Sequence, residues 1–389
     1  MQFTVINNKI VTTMKACLGL IAPRDPFNLA RLTTEAGSIE FNCANMKVFC
    51  SAKIPATVET FGVACVDLKT IYNVLSKLPM DVDITFALET GERSELVISQ
   101  GRRRYKLPVS NQHPEFFDAT PFPEEEAFLD EEHAISKALD KVKPYVSSEE
   151  SLEAISCVLL RGEGNRLSVV GLNGHQFARV SQETEFTNIL NGDSLVGLRG
   201  LQEIKGWLGN GKETEYAFDE KRIFFRQSVD GIVTTFSMLL SSYQYPHYGN
   251  FIARVQECEK PVKLICDRAE MIDAINRLSI FATDNNRQVL FKIDTKTGEF
   301  IMFNSGSETG NGVEPLEVAV DGTLPPISFP AAGLSCILNT FSSNKVCLTI
   351  TGSESPCLVV GMDDLDNGVE TILMPMMVQK DTYYCEEAA

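Results

Sequence analysis

Three stretches of the chain repeat one helix-and-strand design at intervals of about a third of its length, and a chain built this way folds as tandem copies of one unit. An apolar stripe at Ile10, Met14 and Leu18 returns at Ile135, Leu139 and Val142 and again at Met271, Ile275 and Leu278, each after a short β-like run. These copies step by 124–125 and then by 136 residues. A second stripe, Ile71, Val74 and Leu78, returns as Leu201, Ile204 and Leu208 and as Leu334, Ile337 and Phe341, with steps of 130 and 133 at all three positions. Alternating runs follow each second helix: Ile84/Phe86/Leu88, Tyr216/Phe218 with Ile223/Phe225, and Val346/Leu348/Ile350. Each unit therefore reads as two helices among many strands.

At 389 residues the chain is long enough for three such units of about 130 residues, each able to enclose its own core. No apolar run approaches the ~20 residues that span a bilayer, and the stretch from Met1 to Ile10 lacks the features of a signal peptide. A cytoplasmic location is expected, with no membrane partner. The 11 cysteines are odd in number and contain no CxxC pair, so reduced core thiols are expected. The four histidines show no metal-ligand spacing, and neither a metal nor a cofactor is predicted. The net charge of −17 argues against nonspecific adhesion to nucleic acid or anionic lipid over the whole surface. DNA contact remains open where basic residues gather on one face. Lys137 and Lys141, four apart on a predicted helix within 131–143, are offset from the Ile135/Leu139 stripe, as either a DNA-facing or an ordinary solvated face would have them.

Breaks in periodicity divide the chain. Pro121, Pro123 and three consecutive glutamates interrupt it within 118–127, and a second break lies near 253–261. The expected domains are 1–122, 127–253 and 260–378, followed by a polar, acidic tail at 379–389. One apparent motif carries no chemistry. Gly206, Gly211 and Lys212 fit part of a phosphate-binding loop, but Glu213 replaces the required Ser or Thr and the segment follows a helix instead of a strand.

Several short motifs fall in the order and spacing of one family: FTV before the first helix, Gly101-Arg102-Arg103-Arg104-Tyr105, Asn173-Gly174-His175, Tyr245-Pro246-His247-Tyr248 and Met374-Pro375-Met376. Together with the threefold repeat, they make the chain resemble the bacterial sliding clamps, the beta subunits of DNA polymerase III, from Met1 to about Val378. The resemblance implies an α+β fold of three tandem clamp domains, each with two helices packed on two antiparallel β-sheets. It further implies that two chains close head to tail into a six-domain ring around duplex DNA. The implied function is non-enzymatic: a processivity factor that tethers the replicative polymerase. An ATP-driven clamp loader would open the ring, and other polymerases and repair proteins would dock through short clamp-binding peptides.

Carried over position by position, the resemblance assigns sequence-independent DNA contacts to Arg24 and Arg199, joining Lys137 and Lys141. It assigns the peptide cleft to Ile155, Leu172, Gly174, His175, Phe177, Pro246, Ile372, Met374, Pro375 and Met376, where apolar walls supply affinity and methionines adapt to several ligands. It assigns the homodimer seam to Tyr105 and Leu107 of one chain against Ile280 and Phe281 of the other, although burial within its own domain is an equal reading for Leu107. The chain departs from the family where Gln176, Asn250 and Met377 replace arginines common at the cleft rim, and where Ser147–Glu153 is acidic. Two rival functions remain: a cytosolic hydrolase using His175, for which no nucleophile stands at a motif spacing, and an acidic clamp-fold scaffold that does not encircle DNA.

Overall fold

The computed structural model describes residues 1–21, 28–91, 93–111, 120–130, 133–184, 192–281, 287–304 and 310–378. The chain forms two compact units, Met1–Lys137 with Asn188–Ser242, and Ala138–Thr187 with Tyr243–Ala389. The middle third of the sequence is thus shared between them.

Among the described residues a strand leading into a helix occurs six times. Gln2–Ile6 leads into α1 (Asn7–Cys17), Val63–Asp67 into α2 (Leu68–Leu75), and Phe128–Asp130 into α3 (Ala134–Val142). Asp193–Gly197 then leads into α4 (Leu198–Glu203), which is followed directly by α5 (Lys205–Leu208). After α6 (Gly249–Gln256), Val262–Asp267 leads into α7 (Arg268–Ser279) and Ile327–Pro330 into α8 (Ala331–Thr340). Local chemistry fixes several of these starts. The Asp67 carboxylate accepts from Thr70 N at 2.7 Å and that of Asp267 from Glu270 N at 3.0 Å. Asp130, buried, accepts from Ala134 N at 2.7 Å and Ile135 N at 3.0 Å, so one carboxylate satisfies two otherwise orphaned donors.

The apolar stripes form the cores. Ile10, Met14, Ile71, Ile135, Leu139, Leu201, Ile204, Met271, Ile275, Leu334 and Ile337 are all buried. Leu18 and Val74 are only half-buried. Leu18 opens a 3-10 turn after α1 ends at Cys17, and the tighter winding rotates it off the stripe.

In the first unit a five-stranded antiparallel sheet runs in the order Thr57–Thr60, Gln2–Ile6, Asp83–Glu89, Glu95–Gln100, Arg103–Pro108. Phe3 lies opposite Phe86, and their rings stack at 4.6 Å. A second sheet passes from Val63–Asp67 through Leu29–Glu35, Ser38–Ala44 and Val48–Pro55 to Ile232–Ser241, and on through Arg222–Val229 and Thr214–Phe218 to Phe128–Asp130. Strands from the first and middle thirds therefore share one ladder, with Cys50 opposite Phe236. The segment before Phe128 is pinned to this sheet. Arg226 pairs with Glu124 at 2.9 Å and Glu215 at 2.7 Å, and its guanidinium lies 3.8 Å from the Phe122 ring centre.

The second unit uses the same plan. Cys157–Glu163, Arg166–Leu172 and Gln176–Glu183 continue into Val369–Leu373, Cys357–Gly361, Lys345–Ile350, Val262–Asp267 and Val318–Asp321. A four-stranded sheet orders Val313–Leu316, Phe300–Phe303, Gln288–Ile293 and Ile327–Pro330. Among the described residues no helix is long and apolar enough to cross a membrane.

Candidate functional site

The second unit brings the predicted cleft residues together through backbone pairing. Strands Arg166–Leu172 and Gln176–Glu183 form a hairpin in which Leu172 faces Phe177. Its turn is built by Asn173, whose side-chain oxygen accepts from His175 N at 3.1 Å and Gln176 N at 2.9 Å. Gly174 takes φ +88°, a conformation that a side chain disfavours. The far side of Gln176–Glu183 pairs with Val369–Leu373, placing Ile372 opposite Phe177. Met374 N then donates to His175 O at 3.1 Å, and Met376 N to Ser328 O at 2.8 Å. The Met374–Met376 segment is thereby held between the hairpin turn and the Ile327–Pro330 strand.

Depth separates wall from rim. Leu172, Phe177 and Ile372 are buried, whereas Gly174, His175, Pro246 and Met376 are exposed and Met374 and Pro375 are half-buried. Phe177 stacks on Tyr248 at 5.3 Å, and Tyr248 meets Tyr245 edge-on at 6.3 Å, which fixes the chain on either side of Pro246. Ile155 is half-buried just before Cys157–Glu163, its carbonyl accepting from Ser147 N at 2.9 Å. The arrangement offers an apolar floor beside the exposed Met376 and Met377. Such a surface suits an apolar peptide segment.

Sequence reasoning did not assign Tyr245 or Tyr248 to the wall. Their 245/248 spacing on either side of Pro246 was the available signal. Burial pushes the Tyr245 phenol well above its ordinary value, and its hydroxyl has no hydrogen-bond partner among the described residues. Met377, at a position where an arginine was expected, is 81 % exposed and extends the apolar rim.

The predicted DNA contacts are placed differently from one another. Arg24 lies outside the described residues, as does the 379–389 tail. Lys137 is exposed on α3. Arg199 is exposed on α4 and reaches back to Glu203 at 3.5 Å. Lys141 is occupied structurally: its ammonium donates at 2.7 Å to Asp366, a carboxylate with no exposed side-chain surface. Asp366 also accepts from Ser342 N at 2.9 Å and Ser343 N at 2.7 Å. Burial works against its charge, but Lys141 and the serine donors prevail and hold its pKa below the ordinary carboxylate value.

Of the predicted seam residues, Tyr105 and Leu107 lie on Arg103–Pro108, the outermost strand of its sheet. Tyr105 is exposed and Leu107 is buried, so Leu107 belongs to the core of its own unit. Ile280, 73 % exposed, and the half-buried Phe281 follow α7. Next to them is a sheet edge that sequence reasoning did not identify, Val313–Leu316, tied to α7 by Arg277–Glu314 contacts of 2.7 and 2.8 Å. A Cβ at Gly312 would fall 3.3 Å from the Phe281 ring, a close approach that favours glycine there. The phosphate-loop look-alike is a plain helix-to-strand turn: α5 ends at Leu208, Gly211 takes φ +73° and a strand begins at Thr214.

Residues 258–377 match the family model described as "DNA polymerase III beta subunit, C-terminal domain". Curated relatives include a beta sliding clamp of Chlamydia pneumoniae, 21 % identical over 98 % of this chain and 100 % of that protein. Another, from Caulobacter vibrioides, is 22 % identical over 89 % of this chain and 91 % of its own length. Among solved structures, a DNA polymerase sliding clamp from Pseudomonas aeruginosa superposes with a TM-score of 0.85 at 19 % identity, covering 97 % of this chain and 100 % of that one. The DNA polymerase III beta subunit of Thermotoga maritima gives a TM-score of 0.81 at 18 % identity, with the same coverage. These structures show the same fold along nearly the whole chain.

Proposed function

We propose that the chain is a bacterial DNA polymerase III beta subunit, a beta sliding clamp, two copies of which close head to tail around duplex DNA and tether the replicative polymerase to it. The observation that carries this reading is the junction of Met374 N with His175 O at 3.1 Å, which brings two distant chain segments together beside the buried Phe177 and Ile372. Peptides from the polymerase, the clamp loader and repair proteins would insert apolar side chains over Phe177 and Ile372, with Met374 and Met376 adapting to each. Phosphate contacts are assigned to Lys137 and Arg199, which expose their charge, and to Arg24 by resemblance. Lys141 is assigned to Asp366. Few basic contacts on an acidic chain would hold DNA by topology and leave it able to move. The domain limits 1–122, 127–253 and 260–378 belong to the same proposal.

Three measurements test it. A fluorescent peptide carrying a clamp-binding motif of the polymerase should bind saturably to the intact chain, and at least about tenfold more weakly to a Met374→Ala/Met376→Ala variant. A chain ending at Val378 should bind at least as well as the full chain. Protein loaded on closed circular DNA should be released when the circle is cut, and retention on linear DNA would rule out encirclement.

A further inference from the structure

In the first unit three cysteines far apart in sequence converge. Asn45 builds the turn between Ser38–Ala44 and Val48–Pro55: its side-chain oxygen accepts from Lys47 N at 2.9 Å and Val48 N at 2.8 Å. That turn sets the register in which Cys43 lies directly opposite Cys50. Cys17, the last residue of α1, adds a third thiol, with its sulfur 3.3 Å from that of Cys50. All three potential ligand atoms lie within 4.8 Å of one another, and the residues are 0 %, 2 % and 0 % exposed.

We propose that Cys17, Cys43 and Cys50 form a buried three-sulfur site for a soft monovalent metal ion, Cu(I). With metal–sulfur bonds of about 2.3 Å, a trigonal or tetrahedral centre needs sulfurs about 3.8–4.0 Å apart, so the observed spacing requires only small side-chain adjustments. Coordination number selects the ion. Zinc calls for a fourth donor, whereas among the described residues this group supplies three ligands in a place closed to solvent, and thiolates favour Cu(I). Each thiol that ligates the ion releases its proton to solvent, so affinity falls as the pH is lowered.

The test uses the full-length chain, reduced and stripped with chelator, then offered Cu(I) without oxygen against a competing Cu(I) chelator. The expected result is one ion per chain, with an X-ray absorption shell of sulfur alone at about 2.3 Å. Cys17→Ala and Cys50→Ala should each weaken retention by more than about 100-fold, since even losing a group behind a ligand costs 10–100-fold. Nitrogen or oxygen in the shell, or unchanged retention in both variants, overturns the site. Tighter retention of Zn(II) than of Cu(I) overturns the choice of ion. If the variants fail to fold, the absorption shell of the unaltered protein still decides.

Discussion

Asp366 shows how far a single side chain can bind distant sequence together. It joins Lys141 on α3 to the Ser342–Ser343 turn after α8, a contact spanning 225 residues from Lys141. Lys141→Ala should lower unfolding free energy by about 1–3 kcal/mol in denaturant titration, because a buried carboxylate loses its cation but keeps its serine donors. The pH dependence has a definite sign. A carboxylate held below its ordinary value of 3.8 stabilises the fold above that pH and loses this contribution as the pH falls through its folded value. Asp366→Asn should therefore flatten the acid limb of the stability curve below about pH 4. The offset of Lys141 from the Ile135/Leu139 stripe was legible in the sequence. Its partner was not, since no local pattern links residue 141 to residue 366. The meeting of the proposed cleft segments was more legible, because Met374-Pro375-Met376 and Asn173-Gly174-His175 are contiguous motifs. The convergence of three cysteines was hidden because it depends on hairpin register.

Helices were the elements that sequence resolved best, since a 3.6-residue stripe is local and its burial follows directly. Their starts were less visible, because Asp67, Asp130 and Asp267 cap by geometry that no apolar pattern reports. Asp267→Ala should cost about 1 kcal/mol, read as a lower denaturant midpoint at unchanged slope. Asp130→Ala should cost more, about 2 kcal/mol, because the buried Ile135 N–H and the half-buried Ala134 N–H lose their acceptor together. Strand alternation was equally plain at Ile84/Phe86 or Val346/Leu348, but strand order was not. Pairing partners such as Val48–Pro55 and Ile232–Ser241 lie far apart in the chain, and alternation says only which face is buried. The proline- and glutamate-rich stretch before Phe128 read as a linker, yet Arg226 fastens it through Glu124 and Phe122.

At the scale of the whole molecule, the proposed ring depends on sheet edges that a lone chain leaves open. Ile280→Asp would place a charge in the proposed seam, and the expected outcome is a species near 43.0 kDa by light scattering, with the unaltered chain expected at twice that mass. Unchanged peptide binding by the same variant would show that the cleft needs no second subunit. The shared sheets carry a separate consequence, for how such a chain can be cut or inherited. The sequence repeats in thirds, as gene duplication would leave it, but the backbone ladders run between copies, through Val48–Pro55 with Ile232–Ser241 and through Gln176–Glu183 with Val369–Leu373. A single excised third, such as residues 1–122, would therefore bare a row of unpaired amides along Val48–Pro55 and should self-associate instead of remaining monomeric. The unit that was copied and the unit that can stand alone in water are different lengths of chain.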